Sequence, residues 1–150
     1  MTQASNISEL INNITRRIDR LTDLTTGFDS NDSGLRLVEV GLGYWHVIHL
    51  TNGQLDNTND QPAVTAACGS RYYFKEGLLH RLERPAVAVS NGSKEYWENG
   101  KLHNLKEPAI QYVSGLREWF IEGERITDPT EIEYLENGTH ILQLAIADNL

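Results

Sequence analysis

Five histidines are the first residues to weigh, because imidazole is both a common metal ligand and a common general base. His46 and His49 stand three apart in a stretch that reads as a strand, so their rings point to opposite faces and make a poor ligand pair. His80 and His103 occupy corresponding places 23 residues apart and read as turn-capping side chains. Glu95 and Glu118 share that interval and could lie near one another, but general acid–base work needs a pocket that shifts a pKa. On an open ladder of strands such a pair reads as solvated. Cys68 is the only cysteine, so no intramolecular disulfide and no cysteine-based zinc site can form, which fits a reducing compartment. Spacing brings out no Ser/His/Asp set. Gly92, Gly100, Gly115 and Gly123 belong to turns and not to a phosphate-binding loop. These residues predict no catalysis, no metal and no cofactor.

The histidine interval belongs to a wider pattern. Pro62-Ala63-Val64, Pro85-Ala86-Val87 and Pro108-Ala109-Ile110 follow one another at 23 residues, as do Gly69, Gly92 and Gly115, and Gly77, Gly100 and Gly123. The aromatic pairs Tyr73-Phe74, Tyr96-Trp97 and Trp119-Phe120 keep the same step. A period of this length signals a stacked array. Each unit reads as a strand entered through proline, where the missing N–H costs no ladder bond. A two-residue turn at Asn91-Gly92, a return strand and a second turn at Asn99-Gly100 complete it. Alternation should place one ring of each aromatic pair on each face. The fold class expected is mainly β: tandem 23-residue hairpins forming an elongated antiparallel sheet, with an N-terminal amphipathic helix and a short C-terminal helical cap.

The string Gly92-Ser-Lys-Glu-Tyr-Trp-Glu-Asn-Gly-Lys-Leu-His103, followed by Glu107-Pro-Ala-Ile110, resembles the MORN repeat family. It is closest to a divergent variant with Asn-Gly-Lys-x-His and Pro-Ala units that is frequent in bacteriophage and large-virus proteins. The resemblance runs from about Gly43 to Ile126. Glu83-Arg84 and Lys106-Glu107 stand where the variant has Asp-Gly, and the glycine pair after the usual MORN histidine is missing. The resemblance implies a hairpin array and an adaptor or scaffold role with no fixed partner.

Two flanks enclose the array, giving segments 1–27, 34–126 and 127–150. In the first, Ile7, Ile11, Ile14, Ile18 and Leu21 form a heptad stripe, with Ser5 or Asn6 as cap. That stripe either covers the sheet or pairs two copies as a homodimer. Arg16, Arg17 and Arg20 read as its solvated face. In the last, Asp128-Pro129-Thr130-Glu131 is a helix start and Asn137-Gly138 a stop, with residues 140–147 an apolar strand or helix.

Charge narrows the function. A net charge of −8 argues against direct nucleic-acid binding, which needs cations to replace counterions. From Glu118 to Glu136 seven acids face one base, Arg125. No membrane-spanning run and no signal peptide is legible, so the expected address is cytoplasmic, that of the host if phage-encoded. The expectation is a non-enzymatic protein-interaction module, concretely a phage inhibitor of a host defence protein of the anti-CRISPR type. Its partner would be a basic nucleic-acid-binding protein met by exposed Tyr72, Tyr96, Trp97 and Trp119 with acids Glu118, Glu122 and Glu124. The alternative is a homo-oligomeric scaffold joined through the N-terminal helix. A small-molecule or lipid binder is a third reading, against which the net charge counts for anionic lipids.

Overall fold

The structure, a computed structural model, describes residues 3–138, with side chains from Ile7 onward. Helix α1 (Gln3–Asp23) leads into a long hairpin of β1 (Gly34–Gly41) and β2 (Tyr44–Thr51). Short strands follow: β3 (Gln54–Leu55), β4 (Val64–Thr65), β5 (Arg71–Tyr72), β6 (Phe74–Lys75), β7 (Leu78–Leu79), β8 (Val87–Ala88) and β9 (Lys94–Glu95). Then come β10 (Trp97–Glu98), β11 (Lys101–Leu102), β12 (Ile110–Gln111), β13 (Arg117–Ile121), β14 (Glu124–Ile126) and α2 (Pro129–Glu136). The fold is mainly β and antiparallel, as the turn-punctuated sequence implies. Segment 127–150 is described only to residue 138, so the expected element at 140–147 lies outside the described residues.

The main sheet runs β1-β2-β4-β5-β8-β9-β12-β13-β14, with β3 paired back on β2. The hairpins β6–β7 and β10–β11 form a separate row. Each short strand pairs over only two residues, too little to stand alone, so cohesion comes from neighbours. The neighbouring bonds recur at the interval read from the sequence. Tyr73 N donates to Ala86 O and Tyr96 N to Ala109 O, both at 2.8 Å. In the second row Gly77 N donates to Leu55 O, Gly100 N to Leu79 O and Gly123 N to Leu102 O, all at 2.9 Å.

The two turns of a hairpin pair differ in kind. Asn99 and Gly100 have φ of 51° and 78°, the positive pair that a type I′ turn requires. Asn91-Gly92 departs from the type I′ expectation, because Gly92 alone is left-handed there, at φ 97°. Gly92 N bonds Val89 O and Val89 N bonds Ser93 O, which is a type I turn closed by a glycine bulge. The Asn91 side chain instead accepts the Ser93 N–H at 2.9 Å.

The core lies between the main sheet and α1. Ile48, Leu50, Val64, Val87 and Ile110 are fully buried, together with Ala63, Ala86 and Ala109. Phe74, Leu79, Trp97, Leu102 and Phe120 of the second row join them, and α1 adds Ile14 and Leu21. The helix begins at Gln3, ahead of the expected Ser5 or Asn6 cap. At the far end α2 starts as the sequence predicts: Asp128 Oδ1 accepts from Thr130 N at 2.8 Å and Glu131 N at 3.2 Å. Its Leu135 seals a second cluster with Trp119 and Ile121.

Candidate interaction surfaces

The aromatics expected at the surface are not there. Tyr72, Tyr96, Trp97 and Trp119 are only 5–8 % exposed. For Tyr96 and Trp97 the reason is a break in the strands. Tyr73 and Tyr96 fall between strand pairs, where the chain leaves the main sheet for the second row. That bend turns both rings of Tyr73-Phe74 and of Tyr96-Trp97 inward, against the one-per-face alternation of a continuous strand. Trp119 and Phe120 instead alternate along the unbroken β13, and Trp119 is covered by Leu135 of α2. Tyr96 Oη donates to Glu107 at 2.8 Å, and burial together with that carboxylate pushes its pKa up to about 12.

The carboxylates expected to be solvated are buried as well. Glu95 is 0 % exposed and Glu118 nearly so, on the two strands flanking Ile110. Arg125 pairs with Glu118 at 2.9 Å. Glu95 is held by α1: Arg17 Nη1 donates to Oε1 at 2.8 Å and Nη2 to Oε2. Trp97 Nε1 adds a bond at 3.0 Å and Tyr112 Oη one at 2.6 Å. The Arg17 guanidinium also stands 5.8 Å from the Tyr72 ring, and its Nε is buried without a partner. Burial opposes the charge on Arg17, yet Glu95 outweighs it and the pKa is raised. Burial first, and the Glu95 charge next, raise the Tyr112 pKa well above the ordinary phenol value. Arg17 is therefore a structural anchor and not part of a solvated face. A carboxylate this fully satisfied has no free lone pair directed at a substrate.

The heptad stripe faces the chain's own sheet. Ile14 and Leu21 are buried in the core, Ile11 and Ile18 pack against it half-buried, and Ile7 is half-buried. Covering the sheet is therefore the role these residues fill, and a dimer seam through them would require α1 to leave it. The four histidines among the described residues act within the fold. His46, His80 and His103 Nδ1 accept the N–H of Ala67, Asn99 and Glu122 at 2.9–3.0 Å, and His49 Nδ1 bonds the Asp56 carbonyl. His80 and His103 thus cap a turn of the next hairpin, as their spacing suggests. No metal-binding group of three such side chains occurs among the described residues, and no helix there is long and apolar enough to cross a membrane.

An acidic turn and an apolar hairpin are among the surfaces that remain open. Glu122 and Glu124, beside the Gly123 turn, are exposed as expected. The larger surface is the β1–β2 hairpin. Register opposes Leu35 to His49, Leu37 to Val47 and Glu39 to Trp45, which puts them on one face. Leu35 and Leu37 are 67 % and 66 % exposed, Trp45 and Val47 are exposed beside them, and Leu42 and Tyr44 stand at the tip. The signal was in the sequence: 35–50 is apolar at both parities, more than one buried face can use. Comparison with protein-family models, with curated proteins and with solved structures finds no match to this chain.

Proposed function

We propose that the chain is a non-enzymatic protein-interaction module: an array of 23-residue hairpins of the MORN type, presenting the β1–β2 hairpin to a protein partner. The observation that carries this reading is the exposed apolar face of that hairpin. Leu35, Leu37, Trp45 and Val47 share that face, and Leu42 and Tyr44 at the tip and Val40 at the bulge extend exposed apolar surface around the end of the hairpin. The largest contiguous apolar patch on a monomeric protein is often a functional one. Among the described residues β1 is an edge strand that pairs only with β2, which leaves backbone groups on its outer side able to extend the sheet into a partner. The buried carboxylates and turn-bound histidines support a role without catalysis, because each is already committed to holding the fold.

The narrower reading is a phage-encoded inhibitor of a basic nucleic-acid-binding host protein. The open acids Glu122 and Glu124 support it. The test is affinity capture from the native host with wild type, a Leu37→Asp/Trp45→Asp variant and a Glu122→Gln/Glu124→Gln variant, each checked for folding by circular dichroism. Loss of one stoichiometric protein with the first variant alone supports the hairpin as the contact. Loss with the second alone shifts the contact to the acidic end and supports the inhibitor reading. Retention with both refutes each surface.

A further inference from the structure

Six residues form a single line across the main sheet. Thr65 opposes Arg71, Arg71 opposes Ala88, Ala88 opposes Lys94, Lys94 opposes Gln111 and Gln111 opposes Arg117. Opposed residues of an antiparallel pair project from one face. The alternate positions Val64, Tyr72, Val87, Glu95 and Ile110 are the buried ones, and Arg17 reaches Glu95 from α1. The line therefore lies on the face away from α1. Arg71, Lys94 and Arg117 are exposed. Among the described residues none of the three side chains has an ion-pair or hydrogen-bond partner. Ala88 and Gln111 between them carry no charge.

Three unneutralised cations in a row run against the character of a chain with a net charge of −8. They recur every 23 residues, at the same place in each hairpin, and fall on every second strand of the sheet. Strands lie 4.7–4.9 Å apart, which spaces the cations by about 9.5 Å. A polyproline II segment rises 3.1 Å per residue with three residues per turn, so its same-side residues recur at about 9.3 Å. The two periods agree. Those of an extended β-strand, at about 6.8 Å, do not.

We propose that this row binds an acidic segment of a partner protein in the polyproline II conformation, with a carboxylate at every third residue over Arg71, Lys94 and Arg117. The ligand is pre-extended, so little chain entropy is lost on docking, and three charge-assisted contacts set its register. The proposal rests on the reading of the chain as an interaction module, but not on the apolar hairpin.

The test is fluorescence anisotropy of the full chain with a labelled peptide of six Pro-Pro-Glu units. A block isomer of the same composition, with its glutamates adjacent, and a single-stranded oligonucleotide of equal charge serve as rivals. The expected result is binding of the in-register peptide about tenfold or more tighter than the block isomer. Each of Arg71→Gln, Lys94→Gln and Arg117→Gln weakens it about two- to fivefold, and the three together abolish it. All three sites are exposed, so folding is retained, and thermal melts check this. Equal affinity for both peptides overturns the register, and a tighter oligonucleotide overturns the protein ligand in favour of nucleic acid. No binding by any probe overturns the surface itself. Lys75→Gln, which removes an exposed cation outside the row, keeps the wild-type affinity; if it weakens the peptide as much as the row variants do, net charge and not the row sets binding.

Discussion

Replacing Arg17 with methionine removes the guanidinium while keeping most of the apolar stem, and so isolates its charge. Arg17 supplies two of the four hydrogen bonds on Glu95, a carboxylate with 0 % exposure. Truncating one partner of a buried ion pair costs about 3–5 kcal/mol, because the other charge is left uncompensated. Two features place this site at the low end. Trp97 and Tyr112 still donate to Glu95, and the Arg17 side chain is itself 22 % exposed. About 3 kcal/mol is the expected loss, equivalent to roughly 6–12 °C in Tm for a chain of this size. Glu95→Gln should cost a similar amount, since it strands a buried cation whose Nε already lacks a partner. The double variant Arg17→Met/Glu95→Leu should regain most of the loss. Urea unfolding gives each value from the midpoint, with m unchanged as the check on two-state behaviour. A cost below about 1 kcal/mol for Arg17→Met, as for a surface ion pair, would refute the claim that this contact pins α1 to the sheet.

Other outcomes follow from the turns and the buried phenols. Gly53→Ala should be the most damaging of the turn substitutions, because a Cβ there meets the Asp29 carbonyl carbon at 2.6 Å at a φ of +77°. Gly92→Ala has open space and should cost only the left-handed backbone, about 1–2 kcal/mol, and thermal melts rank the two. Tyr96 and Tyr112 both have folded pKa values raised above their unfolded ones, so their contribution to stability is complete below about pH 10. It is lost as pH rises through the folded values, about 12 for Tyr96, and urea midpoints in that range should fall less steeply in Tyr96→Phe. His103→Ala removes the acceptor of the Glu122 N–H and should cost about 1 kcal/mol, with faster amide exchange at that turn.

Much of the architecture was legible because it rests on local chemistry. Turn and capping signals located the Asn99-Gly100 turn and the Asp128 helix start, which depend on residues close in sequence, whereas the histidine caps reach 19 residues along the chain. What was not legible depends on where the chain bends. A continuous strand puts Trp97 opposite in facing to Tyr96, so one ring should be exposed; the break at Tyr96 buries both. Arg17 and Glu95 are 78 residues apart, and no pattern in either segment marks them as partners. The cation row was visible in principle, since Arg71, Lys94 and Arg117 share the interval. It gains meaning only once the register shows them on one face.

The central claim is that the open face of the β1–β2 hairpin is where a protein partner binds. Its most direct measurement is site-specific photo-crosslinking in the native host, with benzoylphenylalanine placed at Leu37, at Trp45 and at Glu122 in separate chains. Crosslinks from Leu37 and Trp45 to one and the same protein, with none from Glu122, are the predicted result. Silence at both hairpin positions, in chains that are folded and expressed, would contradict it.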